Sequence, residues 1–288
     1  MRKRTIIITI LLIIAALLFA GCKSGSENNG IPENNSSPPN TTQIKKINET
    51  EKPTEPPTEP LTEAPTQPSF EMLVKEKYQK LLSGTAKDKA ELDNINALNQ
   101  LDGMEAGCEA MALTAAINHF SYDLGMDDIV DDYLVYCDDE FVTGYCGDPH
   151  YFYDGAGIFP PGIVTTALNF VNDKKVGFYP IDTTGLSMDQ LYLLIDAGCP
   201  VLIWTTFDRN YPDVDYTLEY GGIEYPWYDT EHCVCLFGYD RAAGTVSVAD
   251  SWGGWEDRES AEIFEDLYDE IGRFSVALMP TDDLKQGG

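Results

Sequence analysis

Three residues of the types that support nucleophilic catalysis occur along the chain in the order Cys108, His232, Asp250. A thiol attacks a carbonyl carbon as its thiolate, and a helix N-terminus or a nearby imidazolium lowers the pKa of a cysteine. Cys108 stands at the start of a predicted helix over residues 109–120, and the small Ala106 and Gly107 leave room for a substrate carbonyl. We therefore expect Cys108 to be a nucleophile with a lowered thiol pKa.

The general base has to be one of three histidines. His119 lies on the same predicted helix as Cys108 at a distance of ~16 Å, which is beyond hydrogen-bond reach. His150 lies in a Gly- and Tyr-rich loop, where it could face solvent or line a cleft. His232 begins a predicted strand and Asp250 ends the next one, and adjacent antiparallel strands bring such side chains together. We expect His232 beside the Cys108 thiol as the base, with Asp250 behind it to orient the imidazole.

The elements that must position these residues follow from apolar spacing, caps and turn residues. A capping box of Ser187 and Gln190 begins another helix. Helices are predicted over 70–82, 109–120, 127–136 and 160–171, and strands over 200–207, 233–239, 245–250 and 273–279. Helices lead and strands follow, so the sequence predicts an α+β fold with front helices on a later antiparallel sheet.

Residues 100–110, from Gln100 through Cys108 and a following Glu, resemble the nucleophile segment of the C39-like cysteine peptidases. Residues 231–240 resemble the His, strand, Gly-Tyr-Asp segment of that family. Residues 250–253, Asp-Ser-Trp-Gly, resemble its third segment and, more distantly, the Asn-Ser-Trp-Gly of papain. Residues 157–169 resemble its Gly-x-x-Pro-x-x-Ile helix start. The resemblance covers roughly residues 95–280.

The resemblance implies a papain-like cysteine peptidase fold and cleavage of peptide bonds through a Cys thioester. It also implies that Gln100 donates to the oxyanion, a contribution of ~3 kcal/mol in acyl transfer, with help from the backbone N–H of Cys108. No cofactor is expected. Two alternatives stay open at this point: a cell-wall peptide amidase or transglutaminase-like acyl transferase, and a non-catalytic papain-like surface interaction module.

The N-terminus carries an export signal. The chain begins with a basic segment, which is followed by an apolar run over 5–20 and then by Gly-Cys. Residues 18–22 resemble a bacterial lipobox. The apolar run is short for a membrane span, which needs ~20 residues. The sequence predicts a lipoprotein signal peptide over 1–21 and a lipid on Cys22, which places the protein on the extracellular face of the cell membrane. Ordinary secretion and an uncleaved anchor are the alternatives.

Residues 22–69 are rich in Thr, Glu and Pro, with a four-residue period from Thr54. Regularly spaced prolines favour an extended polyproline II chain of ~3.1 Å per residue. This composition predicts a disordered linker. The peptidase domain is then expected over 70–282, a length that suits one domain.

The net charge of −29 lies wholly in residues 70–288, because residues 1–69 hold 7 basic and 7 acidic groups. Such a charge excludes a general nucleic-acid binder, whose affinity comes from Lys and Arg. The expected partners are a peptide or protein substrate, preferably cationic or neutral, and the membrane through the lipid anchor alone. A monomer is expected.

Five cysteines remain besides Cys22 and Cys108. Cys137 and Cys146 form a candidate disulfide outside the cytoplasm, and thiols are the alternative. With His150 they lack the tight ligand pairs of structural zinc, so no metal site is predicted. Small core residues are expected at Cys199, Cys233 and Cys235. The aspartate-rich segment over 127–140 is expected to be a solvated acidic face rather than a Ca²⁺ loop.

Overall fold

The computed structural model of the chain describes residues 68–138 and 140–284. The predicted signal peptide, Cys22 and almost all of the predicted linker lie outside these residues, so their predictions remain predictions. Among the described residues, no helix combines the length and the apolar character needed to cross a membrane.

Six α-helices are described, and their ends follow the caps in the sequence. Ser69 and Ser260 each accept a backbone N–H of the first turn, and Ser187 forms the predicted capping box with Gln190. Pro160 and the next proline begin the fourth helix, where the absent N–H has no helical partner to lose. The helices are α1 Phe70–Leu82, α2 Cys108–Asn118, α3 Asp128–Asp132, α4 Pro160–Lys174, α5 Met188–Asp196 and α6 Ala261–Glu270.

Nine strands are described, all antiparallel to their neighbours. They are β1 Lys89–Glu91, β2 Phe178–Asp182, β3 Val201–Thr206, β4 Tyr216–Tyr220, β5 Ile223–Trp227, β6 Glu231–Asp240, β7 Thr245–Asp250, β8 Trp255–Ser260 and β9 Ser275–Pro280. Seven of them form one sheet in the order β2-β9-β3-β6-β7-β8, with β1 also paired to β6. β4 and β5 form a separate hairpin.

The alternation of β6 separates the core into two layers. Cys233 and Cys235 pack with α2 and α4 on one face, whereas Val234 and Leu236 pack with α1 and α5 on the other. Every residue of α2 from Cys108 to Ile117 is buried, so its N-terminus is fixed by packing on all sides. This central helix and the neighbouring strands β6 and β7 hold the candidate residues.

The mixed helical and antiparallel architecture confirms the α+β prediction. The helix expected over 127–136 is shorter, Asp128–Asp132, because Tyr136 forms a bridge with Tyr145 instead. The hairpin of β4 and β5 was not predicted from the sequence, although Gly221-Gly222 joins its strands with positive φ at both positions, the requirement of a tight hairpin turn. Strands β1, β2 and β8 and helix α6 were also missed.

Candidate active site

Cys108 is the first residue of α2, and Gly107 is its N-cap. A side chain on Gly107 would collide with the side chain of Met104, which is buried under the turn before the helix. The thiol is nearly buried. It borders a cavity of about 480 Å³ that is lined by Gln100, Glu105, Ala106, Cys108, Phe152, Tyr153, Gly155, Ala156, Gly157, Phe207, Trp227, Tyr228, Asp229, Thr230, Glu231, His232 and Trp252. The structure thus brings Cys108, His232 and Gln100 to one cavity.

His232 and Asp250 form the predicted pair. Nε2 of His232 lies 2.6 Å from Oδ1 of Asp250, and both side chains are buried. The backbone N–H of Trp252 donates to the same carboxylate oxygen at 2.8 Å, and the Trp252 ring stands edge-on to the imidazole at 6.5 Å between centroids. Because Nε2 is committed to Asp250, Nδ1 is the ring nitrogen that can receive a proton from a thiol.

Arg209 extends this pair into a chain of charges. One guanidinium N–H donates to Oδ2 of Asp250 at 2.8 Å, and two others bind both carboxylate oxygens of Glu259. Burial by itself raises the pKa of Asp250, but the hydrogen bond and charge of His232 and the charge of Arg209 hold that pKa well below its usual range. Asp250 is therefore an ionised carboxylate, as an imidazole orienter requires.

The side chain of Gln100 is fixed at both ends of its amide. Its Nε2 donates to the carbonyl of Glu105 at 3.0 Å, and its Oε1 accepts from the Ser251 hydroxyl at 2.6 Å. The backbone N–H of Gln100 also donates to the Ser251 carbonyl. A carboxamide nitrogen has two hydrogens, so one remains for a substrate oxygen. These bonds tie the loop before Cys108 to Ser251, the residue that follows β7.

The thiol itself has acidic neighbours. Cys108 Sγ donates to Oε2 of Glu109 at 3.3 Å and lies 3.9 Å from Oε2 of Glu231. Glu109 is completely buried, and its other oxygen accepts the backbone N–H of Ile158 at 2.7 Å. Among the hydrogen bonds of the described residues, none joins Cys108 Sγ to His232. The resting thiol is therefore directed at carboxylates rather than at the imidazole.

This environment opposes the thiolate. Burial, followed by the carboxylates of Glu109 and Glu231, raises the pKa of the Cys108 thiol well above its ordinary value. Burial likewise raises the pKa of both glutamates, and Glu109 raises that of Glu231 further. The lowered thiol pKa expected from the helix N-terminus is wrong for this arrangement, because burial of the thiol, together with the carboxylates of Glu109 and Glu231, outweighs the effect of the helix end.

Gly157 explains how the two carboxylates fit. Its φ is +75°, and a Cβ there would lie 2.7 Å from Oε1 of Glu109 and 3.2 Å from Oε2 of Glu231. Only glycine combines this backbone conformation with such a close approach. The residues around 157 were singled out by sequence as a helix start, but their contact with the site was not foreseen.

The remaining candidates lie elsewhere. His119 Nδ1 contacts the carbonyl oxygen of Asp93 at 2.7 Å, and the His150 ring lies 2.7 Å from Asp148 at Nδ1. Neither histidine lines the cavity of Cys108. Cys137 and Cys146 are held as thiols, with their sulfurs 3.1 Å apart, and Cys137 Sγ also donates to two backbone carbonyls. Their pairing as a disulfide stays a prediction.

Sequence reasoning missed Arg209, Glu259, Glu109 and Glu231. Arg209 left no signal, because it is 41 residues from Asp250 in the chain. Glu109 and Glu231 do have a signal in the sequence, because Glu109 directly follows Cys108 and Glu231 directly precedes His232.

Comparison with known proteins identifies a family and a curated relative for this chain. The model of the Peptidase_C39 like family matches residues 92–276. A curated protein of Bacillus subtilis, the uncharacterized protein YvpB, is 27% identical over 213 residues, which cover 69% of this chain and 79% of that protein.

One of two similar solved structures shares the fold. A crystal structure from Bacillus anthracis named as a C39-like peptidase superposes with a TM-score of 0.57 at 23% identity, covering 67% of this chain and 98% of that one. Xylellain, a cysteine protease from Xylella fastidiosa, reaches a TM-score of 0.39 at 14% identity over 70% of this chain and 89% of its own. The second similarity is too low to bear on this chain.

Proposed function

Because the chain belongs to the Peptidase_C39 like family, we propose that it is a cysteine peptidase that cleaves peptide bonds through a thioester on Cys108. The observation that carries the proposal is the buried contact of 2.6 Å between His232 and Asp250, in the same cavity as a cysteine at a helix N-terminus. A binding module would have no need for an imidazole that is oriented by a buried carboxylate and lines the same cavity as a thiol.

The reaction follows from the roles of these groups. In the reaction the neutral Cys108 thiol turns from the glutamates toward His232 and passes its proton to Nδ1 as sulfur attacks the substrate carbonyl. The oxyanion accepts hydrogen bonds from the Gln100 amide and the Cys108 backbone N–H. The imidazolium, stabilised by Asp250, then protonates the leaving amine, and water activated by the same histidine hydrolyses the thioester. Because the resting thiol is un-ionised, proton transfer accompanies attack rather than preceding it.

The cavity supports a cationic substrate. Its lining includes Glu105, Asp229 and Glu231, and no Lys or Arg of the described residues is part of it. Aromatic side chains, among them Phe152 and Trp252, form the remaining walls. A peptide with Lys or Arg beside apolar residues would match both the charge and the surface. Since salt screens such attraction, cleavage of Lys/Arg-rich peptides should weaken with ionic strength more than cleavage of neutral ones.

The test is hydrolysis of a peptide library and of casein by the full chain and by Cys108→Ala. We expect the variant to lose activity to background, whereas Cys199→Ala, which removes a buried thiol outside the cavity, should keep it. Unchanged cleavage by Cys108→Ala would overturn the proposal. Release of labelled peptidoglycan peptides without cleavage of polypeptides would instead favour the cell-wall amidase, the second candidate.

We also propose that the mature protein is anchored by lipid on Cys22 at the outer face of the membrane. The support is the lipobox-like sequence before that cysteine. Metabolic labelling with a radioactive fatty acid should mark the wild type and not Cys22→Ala, which should leave the membrane fraction. Equal labelling of both proteins would contradict the anchor.

A further inference from the structure

The Cys108 thiol also belongs to a second group of side chains, separate from His232 and Asp250. Sγ of Cys108, a carboxylate oxygen of Glu109 and one of Glu231 all lie within 4.8 Å of one another, and we call these three residues the thiol–carboxylate cluster. It has no counterpart in the peptidase mechanism, which uses His232, Asp250 and Gln100 and assigns nothing to either glutamate.

The distances in the cluster suit a tetrahedral metal ion. With metal–sulfur and metal–oxygen bonds of about 2.3 and 2.1 Å, tetrahedral angles place sulfur and oxygen ligands about 3.6 Å apart. The observed separations from Cys108 Sγ are 3.3 Å to Glu109 and 3.9 Å to Glu231, on either side of that value. No large movement of the backbone is needed to close the ligands around an ion.

An oxygen atom of Glu231 that lacks a hydrogen-bond partner also supports a bound cation. Oε1 of Glu231 is buried and has no hydrogen-bond partner, a costly state for a carboxylate oxygen. No Lys or Arg is among the charges that act on Glu109 or Glu231 in the described part of the chain. A cation would supply what the cluster lacks, since buried carboxylates are stable when they are paired or bound to metal.

Access and ligand type define the ion. Cys108 and Glu231 both line the cavity, so an ion can enter from it and keep a water or another ligand in the fourth position. A thiolate selects soft ions such as Zn²⁺ over Ca²⁺ and Mg²⁺, which prefer oxygen alone. Three protein ligands and a fourth position open to water are also the arrangement of zinc sites that bind a further ligand.

We propose that Cys108, Glu109 and Glu231 bind a soft divalent transition-metal ion, Zn²⁺ in the first place, and that this ion reversibly blocks the nucleophile. The thiol proton, and any proton held by the two glutamates, is released to solvent as the metal–ligand bonds form, and the sulfur lone pair that would attack a carbonyl is then engaged. The inhibition by the metal ion rests on the proposed peptidase function of Cys108, whereas the binding of the ion to the three residues does not.

The binding test is a titration of the purified full chain with ZnCl₂ by isothermal calorimetry. We expect one tight site, weakened at least tenfold in Glu109→Gln and in Glu231→Gln, which preserve side-chain shape. Co²⁺ should give a thiolate charge-transfer absorption band that is absent from Cys108→Ala. CaCl₂ should give no comparable heat.

Two variants separate this site from other zinc ligands. His232→Ala should bind Zn²⁺ as the wild type does, and so should the double variant Cys137→Ser, Cys146→Ser. Glutamine variants that bind as tightly as the wild type would overturn the proposal. Loss of binding in His232→Ala would also overturn it, because the ion would then be captured by the Cys–His pair. Loss in the double variant would overturn it in favour of Cys137 and Cys146.

Activity gives a separate readout. Zn²⁺ should inhibit peptide cleavage, a chelator should restore it, and Glu231→Gln should need at least tenfold more Zn²⁺ for the same inhibition. A wild type that binds Zn²⁺ with the expected variant pattern but cleaves no peptide would leave the metal site standing and refute the peptidase proposal alone. Cleavage unaffected by saturating Zn²⁺ would refute the block.

Discussion

Two groups of acidic side chains lie near the cavity, one around Asp250 and the other in the thiol–carboxylate cluster, and they differ in how their negative charge is balanced. Asp250 is held between His232 and Arg209, and Arg209 is bound in turn by Glu259. In the thiol–carboxylate cluster, no basic side chain from the described residues offsets Glu109 and Glu231. The pKa of Asp250 is accordingly lowered, while those of the two glutamates are raised. The first grouping is complete as it stands, and the second requires protons or a cation.

The difference explains the state of the nucleophile. An ionised Asp250 stabilises an imidazolium, which favours proton transfer away from Cys108. The cluster favours the opposite, because a thiolate beside two carboxyl groups is disfavoured. The fold thus places an activating and a restraining group around one sulfur, and each can be removed separately.

The largest effect is expected from the balanced grouping. Asp250→Asn should lower kcat by about 10⁴-fold, because an amide neither selects the required imidazole tautomer nor stabilises the imidazolium. Steady-state kinetics on a cleavable peptide measure the loss. Asp189→Asn removes an exposed carboxylate bound to Arg241 and should stay within about twofold of the wild type. A loss below tenfold in Asp250→Asn would show that the pair is not part of the mechanism.

Removal of Arg209 should have the next largest effect. Arg209→Met leaves Asp250 and Glu259 without their cation, so we expect a loss of about 2–3 kcal/mol in the free energy of unfolding and a fall in kcat of about 10- to 100-fold. Urea denaturation and kinetics test the two parts. Arg258→Met, which breaks an exposed ion pair with Glu91, should cost less than about 1 kcal/mol. If Arg209→Met and Arg258→Met lost the same free energy of unfolding, the ion pairs of Arg209 with Asp250 and Glu259 would contribute no more than an exposed ion pair.

The close packing of the cluster can be tested at Gly157. Gly157→Ala and Gly185→Ala both force alanine to a positive φ, but a Cβ at 185 meets nothing within 4 Å, whereas one at 157 meets both glutamates. We expect Gly157→Ala to lose about 1–3 kcal/mol more in the free energy of unfolding than Gly185→Ala. Chemical denaturation of the pair gives the difference. If the two variants were equally stable, the carboxylates would not be packed against this glycine.

The smallest effect concerns pH. A carboxyl group whose pKa is raised on folding binds more protons in the native state, so its contribution to stability is lost as the pH rises above its unfolded value of about 4.3. The fall in the free energy of unfolding as the pH rises above about 4.5 should therefore be shallower in Glu231→Gln than in the wild type. Cys108 of this variant should also react with iodoacetamide at lower pH, because a negative neighbour is gone.

Parallel curves for the two proteins, in both stability and labelling, would mean that Glu231 is not coupled to the thiol. Glu270→Gln, on the C-terminal turn of α6, is a matched control for the substitution and should leave the labelling profile of Cys108 unchanged.

How far the sequence predicted this molecule depends on the range of the interactions. The helix that begins at Cys108, the strands of His232 and Asp250 and the capping box at Ser187 all have local signals, and the structure has these elements. The approach of His232 to Asp250 was also predictable, because β6 and β7 are consecutive strands of one antiparallel pair.

What was missed depends on long-range placement or on weak patterns. Arg209 reaches Asp250 and Glu259 from 41 and 50 residues away, from a loop that nothing in the sequence marks. The strand β8, Trp255–Ser260, is mostly charged and exposed at the sheet edge, so it has no apolar alternation to reveal it. The raised thiol pKa arises first from burial of Cys108 and then from the neighbouring Glu109 and Glu231, and reasoning from the helix end alone includes none of these effects.

The most direct test of the account is to trap the covalent intermediate. The full chain would be mixed with a peptide ester, quenched in acid within one turnover, and examined by intact-protein and peptide mass spectrometry. The account predicts an added acyl group on Cys108 in the wild type, and none in Cys108→Ala. Turnover of the ester with the acyl group on another residue, or with Cys108 unmodified at every quench time, would contradict it.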